Sequence, residues 1–182
     1  MKTDPAPAVV LRDVAEADMA AITEIYADAV LNGVSSWEYD PPALDEMIRR
    51  KDAILAAGYP YRVAIHQDTV TGYAYASAYR PRPGYAHTVE TSIYVAPATQ
   101  RLGVGRRLLE DLITQCEHLG YRQAIAIIGD SANAQSIDFH IKMGFEQVGL
   151  VRSIGFKFGR WMDQVILQKA LGEGDGLSLI HI

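Results

Sequence analysis

The order of elements along the chain predicts an α+β domain built on a mixed, mostly antiparallel sheet of about seven strands with about four helices. Three observations carry that expectation. Strand-like runs follow one another in the middle of the chain. A strand–helix–strand–helix–strand succession comes after them. The 182 residues are enough for one sizeable core and too few for two comfortable ones.

Residues 1–8, "MKTDPAPA", are polar and proline-rich and are expected to be disordered. "VVLRDV" reads as the first strand. Between residues 16 and 32 the apolar positions Ile22, Ile25, Tyr26, Ala29 and Val30 have the spacing of a helix with one buried face. "NGVSSWEYDPP" is a loop, and a second helix is expected over roughly residues 43–57, closed by Gly58. "YRVAIHQ" and "TGYAYASAYR" read as a hairpin around "DTVTG". After the break "RPRPG", "HTVETSIYV" is the next strand. "QRLGVGRRLLEDL" then opens a helix that carries Leu108, Leu109, Leu112, Ile113, Cys116 and Leu119 on one side. "RQAIAIIGD" is a continuous apolar run, as expected of a central strand. "ANAQSIDFHIKMG" is a short helix, and "FEQVGLVR" and "MDQVILQKAL" close the sheet. One domain is expected over residues 9–171. Residues 172–182 read as a flexible tail whose last six residues are an appendage to the fold.

Composition limits the function classes. The net charge of −5 offers no general basic footprint for nucleic acid or an anionic membrane, and 49% of the residues are apolar, an ordinary globular balance. Cys116 is the single cysteine, which excludes an intrachain disulfide and any C-x-x-C site; its place on an apolar stripe reads as a buried thiol. His66, His87 and His118 have no ligand spacing, and no metal is expected. With no long apolar run and no signal peptide, a cytoplasmic location is expected.

The chemistry-bearing feature is the glycine loop. Bare amides at a loop-to-helix junction suit an anion, and a pyrophosphate above all. A dinucleotide fingerprint would need a third glycine where Leu108 stands, and a tighter turn after the strand. A Walker loop would need G-x-x-x-x-G-K-[ST], which is absent. Taken alone, the two glycines also fit an ordinary loop.

The flanks of that loop decide. "SIYVAPATQRLGVGRRLL" resembles motif A of the GNAT superfamily of N-acetyltransferases, with Gln100, Gly103 and Gly105 at its defining positions. Asn133, His140 and "KMGF" resemble motif B, with His140 where many members have tyrosine. "WEYDPP", "AAGYPYRVA", "YRPRPGYAHTVETSIYV" and "KFGRWMDQVILQ" are similar to the phosphinothricin and methionine sulfoximine acetyltransferase branch. Thr91 replaces that branch's usual histidine, and "AIAIIGDSANAQS" departs from its commoner fifth strand.

The resemblance implies a GNAT fold and acetyl-CoA as co-substrate. Its pantetheine and phosphates would lie against Ile93, Tyr94, Val95, Gln100, Arg101, Leu102, Gly103, Val104, Gly105, Arg106, Asn133 and Lys142. It implies a homodimer and a small amine or amino-acid acceptor, with no nucleic acid, membrane or metal partner. Acetyl transfer needs a neutral amine, a polarised carbonyl and a protonated leaving thiolate. Glu90 is the candidate base: the period of two in "TVETSIYV" sets Glu90 with Thr88, Ser92 and Tyr94 on the face opposite Val89, Thr91, Ile93 and Val95. A backbone amide near Val95 is expected to polarise the carbonyl, and His140 to supply the thiolate's proton. Arg80 and Arg82 would fork an acceptor carboxylate, with Pro83, Gly84 and Tyr85 as pocket wall and Trp37 and Glu38 in the loop above it. Lys157, Arg160 and Trp161 are expected near the same mouth or at a subunit contact, a purely structural role fitting them equally well. Another small amine or a protein N-terminus as acceptor, or a non-catalytic acyl-CoA-binding module, stay open as alternatives.

Overall fold

"GYAYASA" alternates large and small side chains, and the alternation sorts them to two faces of one sheet. Tyr73 is buried in one core and Ala74 and Ala76 in the other. The computed structural model describes residues 9–99 and 102–176. Residues 1–8 and 177–182, read above as a disordered start and the end of a tail, lie outside the described residues, as do Gln100 and Arg101.

Seven strands form a single sheet: β1 (Val10–Asp13), β2 (Tyr61–His66), β3 (Thr69–Ala78), β4 (Thr88–Val95), β5 (Gln123–Gly129), β6 (Glu146–Lys157) and β7 (Arg160–Ala170). Their order across the sheet is β1-β2-β3-β4-β5-β7-β6. Four α-helices accompany them: α1 (Met19–Asn32), α2 (Leu44–Ala56), α3 (Val104–His118) and α4 (Ala134–Lys142). On one face α3 lays Leu108, Leu109, Leu112 and Cys116 against Ala74, Ala76, Val89 and Ala126. The small residues on the sheet let the helix approach, and each fully buried leucine contributes about 1.5–3 kcal/mol. On the other face α1 and α2 bring Met19, Ile22, Val30 and Met47 against Val63 and Tyr73. Cys116 is buried, and burial pushes its thiol up to about 12, so it is inert at neutral pH. Leu119, read as part of the stripe of α3, is 55% exposed because the helix has already ended there.

Two hairpins are tighter than the sequence reading placed them. Gln67 and Asp68 have φ of 50° and 57°, the two-residue turn that suits strand twist. Thr69 and Val70, read as part of the loop, therefore belong to β3. Phe158 and Gly159 turn with φ of 52° and 72°, so β6 extends to Lys157 and "SIGFKFGRW" is a hairpin tip. The start of the tail is folded back: the Gly172 amide donates to Glu117 Oε1 at 3.1 Å. No helix among the described residues is long and apolar enough to cross a membrane.

The feature that makes room for chemistry is a split in the sheet. All neighbouring strands are antiparallel except β4 and β5, which pair in parallel only from Thr88↔Gln123 to Thr91↔Ala126. Both strands continue, β4 to Val95 and β5 to Gly129, without pairing each other.

Candidate active site

A cavity of about 250 Å³ opens where β4 and β5 part. Its walls come from β4 (Glu90 to Tyr94), β5 (Ala126 to Gly129), α1 and its loop (Tyr26, Ser35, Ser36), Tyr75 of β3, and Asn133, Ser136 and His140 of α4.

Backbone pairing on β4 explains what faces the gap. The Ala96 amide donates to Thr71 of β3 at 2.9 Å, and the β3–β4 register continues without a shift to Ser77↔Glu90. Antiparallel pairs alternate, so the backbone groups of Glu90, Ser92 and Tyr94 turn to β3. Those of Ile93 and Val95 turn to the open side, where β5 has withdrawn. The split thus leaves amide donors in the plane of the sheet.

Glu90 is half-buried in the cavity wall. Burial raises its carboxyl above the usual carboxylate range, because the charged form loses water without gaining a cation. Tyr75 stands opposite Ser92 across the ladder, and both line the cavity. It belongs to a column of rings: Tyr61 lies 5.1 Å from Tyr75 and 5.8 Å from Tyr73, and Tyr94 meets Tyr73 at 5.1 Å and Tyr26 at 5.2 Å. Tyr26, Tyr75 and Tyr94 of that column line the cavity together with Glu90.

His140 is 3% exposed, between Phe139 and Phe145. Its Nδ1 lies 2.8 Å from the Ser136 carbonyl oxygen. A carbonyl can only accept, so Nδ1 carries the proton and Nε2 the lone pair. Burial lowers its pKa. The ring is therefore neutral at pH 7, with no proton at Nε2 to give. Asn133 caps α4, its Oδ1 accepting from the Ser136 amide at 3.2 Å, which leaves its side-chain amide to face the cavity.

The helix end predicted to hold an anion is bare. Gly103 has φ of 74° and precedes Val104, the first residue of α3, with no side chain capping the helix. The first intrahelical bond runs from the Arg107 amide to the Gly103 carbonyl at 3.1 Å, so the amides of Val104, Gly105 and Arg106 have no partner in the helix. A Cβ on Gly105 would meet Val95 Cγ2 at 3.5 Å and Phe139 Cζ at 3.8 Å, ordinary contacts. The protein's own packing therefore does not require glycine there; its absence of a side chain keeps space open over the helix end. Leu102 is 54% exposed beside it. Gln100 and Arg101 lie outside the described residues. Arg106 and Lys142 come together in a second cavity of about 310 Å³ that also involves Glu110 and Lys169. Arg106 Nε there donates to Glu110 Oε1 at 2.8 Å.

The expected acceptor residues are divided. Trp37 and Glu38 lie in the α1–α2 loop that roofs the cavity, although neither is in its wall. Glu38 accepts from Tyr26 Oη at 2.9 Å and from Arg50 at 2.7 Å. Arg80, Arg82, Pro83, Gly84 and Tyr85 are all exposed and outside the cavity wall. The Arg80 guanidinium stands 5.2 Å over the Tyr79 ring and 6.0 Å from that of Tyr85.

The sequence reading missed Tyr26, Ser35, Ser36, Tyr75, Ser92 and Ser136 in the wall. The alternation in "YAYAS", set beside "VETSI", signals that Tyr75 and Ser92 share the face of Glu90. It also missed why Gly129 and Gly155 are glycines. A Cβ on Gly129 would sit 2.2 Å from the Val34 carbonyl oxygen, and one on Gly155 would sit 2.5 Å from the Trp37 ring. Both make room for the roof loop. No group of three or more His, Cys, Asp or Glu side chains among the described residues is placed to hold a metal ion.

Comparison with known proteins agrees with this architecture. Residues 11–166 match the acetyltransferase (GNAT) domain family. A phosphinothricin N-acetyltransferase of Alcaligenes faecalis is 48% identical over 168 residues, 92% of this chain and 85% of that protein. An L-methionine sulfoximine/L-methionine sulfone acetyltransferase of Salmonella typhimurium is 40% identical over 87% of this chain and 92% of its own length. The crystal structure of a GNAT superfamily phosphinothricin acetyltransferase from Sinorhizobium meliloti, solved with AcCoA, superposes with a TM-score of 0.90 at 46% identity, covering 93% of this chain and 92% of that one. With its split sheet, its uncapped α3 and this match over most of its length, the chain belongs to the GNAT acetyltransferase family.

Proposed function

We propose that this protein transfers the acetyl group of acetyl-CoA to the amino group of a small amino-acid-like acceptor, of the phosphinothricin or methionine sulfoximine and sulfone kind on which the named relatives act, by direct attack in a ternary complex. The observation that carries the reading is Glu90: a half-buried carboxylate of raised proton affinity, in a cavity opened between parting strands, on the strand that leads to the bare N-terminus of α3.

The residues present suit the co-substrate. The free amides of α3 with its dipole favour a pyrophosphate, together with Gly103 and Gly105, and Arg106 and Lys142 supply nearby positive charge. Gln100, Arg101, Leu102 and Val104 complete that loop in this reading, and Asn133 offers its side-chain amide to the pantetheine arm. Ile93, Tyr94 and Val95 flank the thioester, with the open-side amide of Val95 polarising its carbonyl. The amine forms its C–N bond at the acetyl carbon as the C–S bond breaks. Glu90 is the final acceptor of the proton that the amine loses; the departing thiolate takes one proton from water, and the hydroxide so left is neutralised by the proton that Glu90 gives back, which regenerates the carboxylate. His140 serves as an acceptor at Nε2 in place of the acid expected from its residue type.

Trp37 and Glu38 shape the acceptor side. A second reading, a general amine acceptor, is favoured by one observation: no Lys or Arg is in the described cavity wall, and Arg80, Arg82, Pro83, Gly84 and Tyr85 stand outside it. Thiol release from acetyl-CoA against a panel of amino acids, sulfoximines, phosphinates and their decarboxylated amines tests both. Turnover confined to carboxylate-bearing acceptors supports the first reading; equal kcat/KM for an amino acid and its decarboxylated amine overturns it in favour of the second. The reading includes a cytoplasmic homodimer. The edge strand β6 and its hairpin support the dimer, because Val148, Ile154, Phe158 and Trp161 are each more than half exposed. Light scattering checks it.

A further inference from the structure

Three successive residues of β6 hold the end of α1 and four residues of the roof loop. Gly155 lies under the Trp37 ring, so close that a Cβ would be 2.5 Å from it. The Phe156 carbonyl accepts from Tyr39 Oη at 2.6 Å. The Lys157 ammonium donates to the carbonyls of Val30 at 2.6 Å, Ser36 at 2.7 Å and Gly33 at 3.1 Å. All three of its protons are used, more than 120 residues away along the chain. Lys157 is 3% exposed, which is unusual for a lysine.

Val30 lies in the last turn of α1, where carbonyls lack intrahelical partners and a cation is favourable. The loop then wraps the ammonium as far as Ser36. From Ser36 the contacts lead directly to the cavity: its Oγ lies 3.0 Å from Tyr26 Oη and accepts from the Glu38 amide at 3.3 Å. Ser36 and Tyr26 are in the cavity wall across from Glu90.

We propose that Lys157 is a positioning residue of the acceptor site: by tying the end of α1 and the Ser36 peptide to the β6–β7 hairpin, it sets the height of the cavity roof over Glu90. The proposal rests on the acetyltransferase reading. It separates the two substrates, because the ammonium grips the roof on the α1 face while the bare end of α3 packs on the other face of the sheet.

The test compares wild type with Lys157→Met, Lys157→Arg and Tyr39→Phe. Each is assayed by thiol release at a temperature below its own melting transition, and acetyl-CoA affinity is measured by calorimetry. Lys157→Met leaves three carbonyls without a donor. The acceptor KM should rise tenfold or more while the acetyl-CoA Kd stays within twofold. Lys157→Arg keeps the charge and should recover part of that loss, and Tyr39→Phe, a mild change at the surface, should raise the acceptor KM several-fold. A folded Lys157→Met with a lowered Tm and an unchanged acceptor KM makes Lys157 a stabilising group only and overturns the proposal. If that variant does not fold, unchanged acceptor KM in both of the others overturns it equally. A wild type with no turnover on any acceptor counts instead against the acetyltransferase reading.

Discussion

Replacing Glu90 by glutamine isolates proton transfer from everything else the residue does. Burial is the sole cause of the raised carboxyl pKa, so no ion pair is forfeited, and glutamine fills the same space. Stability should change by about 0.5 kcal/mol or less, a shift of about 1–2 °C in Tm. The sign follows from burial. A carboxyl whose pKa is raised in the folded state binds its proton more tightly than the unfolded chain does. The wild type therefore loses stability as pH rises from the ordinary carboxylate range through the raised value. Glu90→Gln lacks that loss and should be at least as stable as wild type at pH 7. Catalysis should behave oppositely. Losing a general base costs roughly 10²–10⁴ in kcat, about 2.7–5.4 kcal/mol of barrier. The wild-type kcat should rise with pH through a limb above the ordinary carboxylate range, and that limb should vanish in the variant. Thermal melts and stopped-time thiol release between pH 5 and 9 measure both. A kcat within tenfold of wild type, with the limb retained, would remove Glu90 from the reaction.

Gly105→Ala should fold normally, because its Cβ meets nothing closer than 3.5 Å, whereas Gly105→Asp should weaken acetyl-CoA binding at least tenfold, about 1.4 kcal/mol, by calorimetry. Unchanged affinity in Gly105→Asp would refute the helix-end site. His140→Ala should lower Tm through a buried cavity, at about 1–3 kcal/mol, yet lower kcat by less than about tenfold, since the ring's one proton is held at Nδ1 against the Ser136 carbonyl and Nε2 has none to give; a hundredfold loss would restore it as the acid. Asp130 holds a φ of 73° while accepting from the Ala132 amide at 3.0 Å and pairing with Arg160, and its pKa is lowered chiefly by that arginine. Asp130→Ala should therefore cost about 1–2 kcal/mol in backbone strain alone. In wild type the pair's stabilisation is present above the usual Asp range and lost as pH falls through the lowered value. Equal melting of wild type and Asp130→Ala at pH 7 would show that the turn into α4 does not depend on this residue.

The sequence made the elements legible where local periodicity decides them. The stripe of α3 was readable because leucines at helical spacing have only one way to be buried, and β5 because an unbroken apolar run needs cover on both faces. The split between β4 and β5 was not readable: pairing that stops at Thr91↔Ala126 is a property of two strands together and leaves no mark on either. The face of Glu90 followed from the period of two. The state of His140 did not, because a histidine's protonation depends on the carbonyl it meets, here that of Ser136. Arg80 looked suited to a carboxylate by residue type, yet its side chain lies out over Tyr79 and Tyr85. Lys157 was noticed only for its neighbourhood; its three carbonyl partners come from a helix end more than a hundred residues earlier, which no local pattern encodes.

The geometry of β4 limits how Glu90 can act. Glu90 and Val95 are five residues apart on one strand, about 17 Å at 3.3–3.4 Å per residue. A glutamate side chain spans only part of that distance, and the backbone of Glu90 faces β3 while the amides of Ile93 and Val95 face the gap. An acceptor amine poised near the Val95 end is therefore beyond direct contact with the carboxylate. The intervening wall is polar: Ser92 is two residues along, Tyr75 pairs with it across the ladder, and Ser36 and Tyr26 close the opposite side. Hydroxyls both donate and accept, so such a wall can pass a proton along with ordered water, which an apolar wall cannot. In the proposed reaction, Glu90 would then work as the terminus of a relay. Its raised proton affinity suits that place, since a terminus that holds the proton more firmly than an exposed carboxylate draws the transfer toward itself.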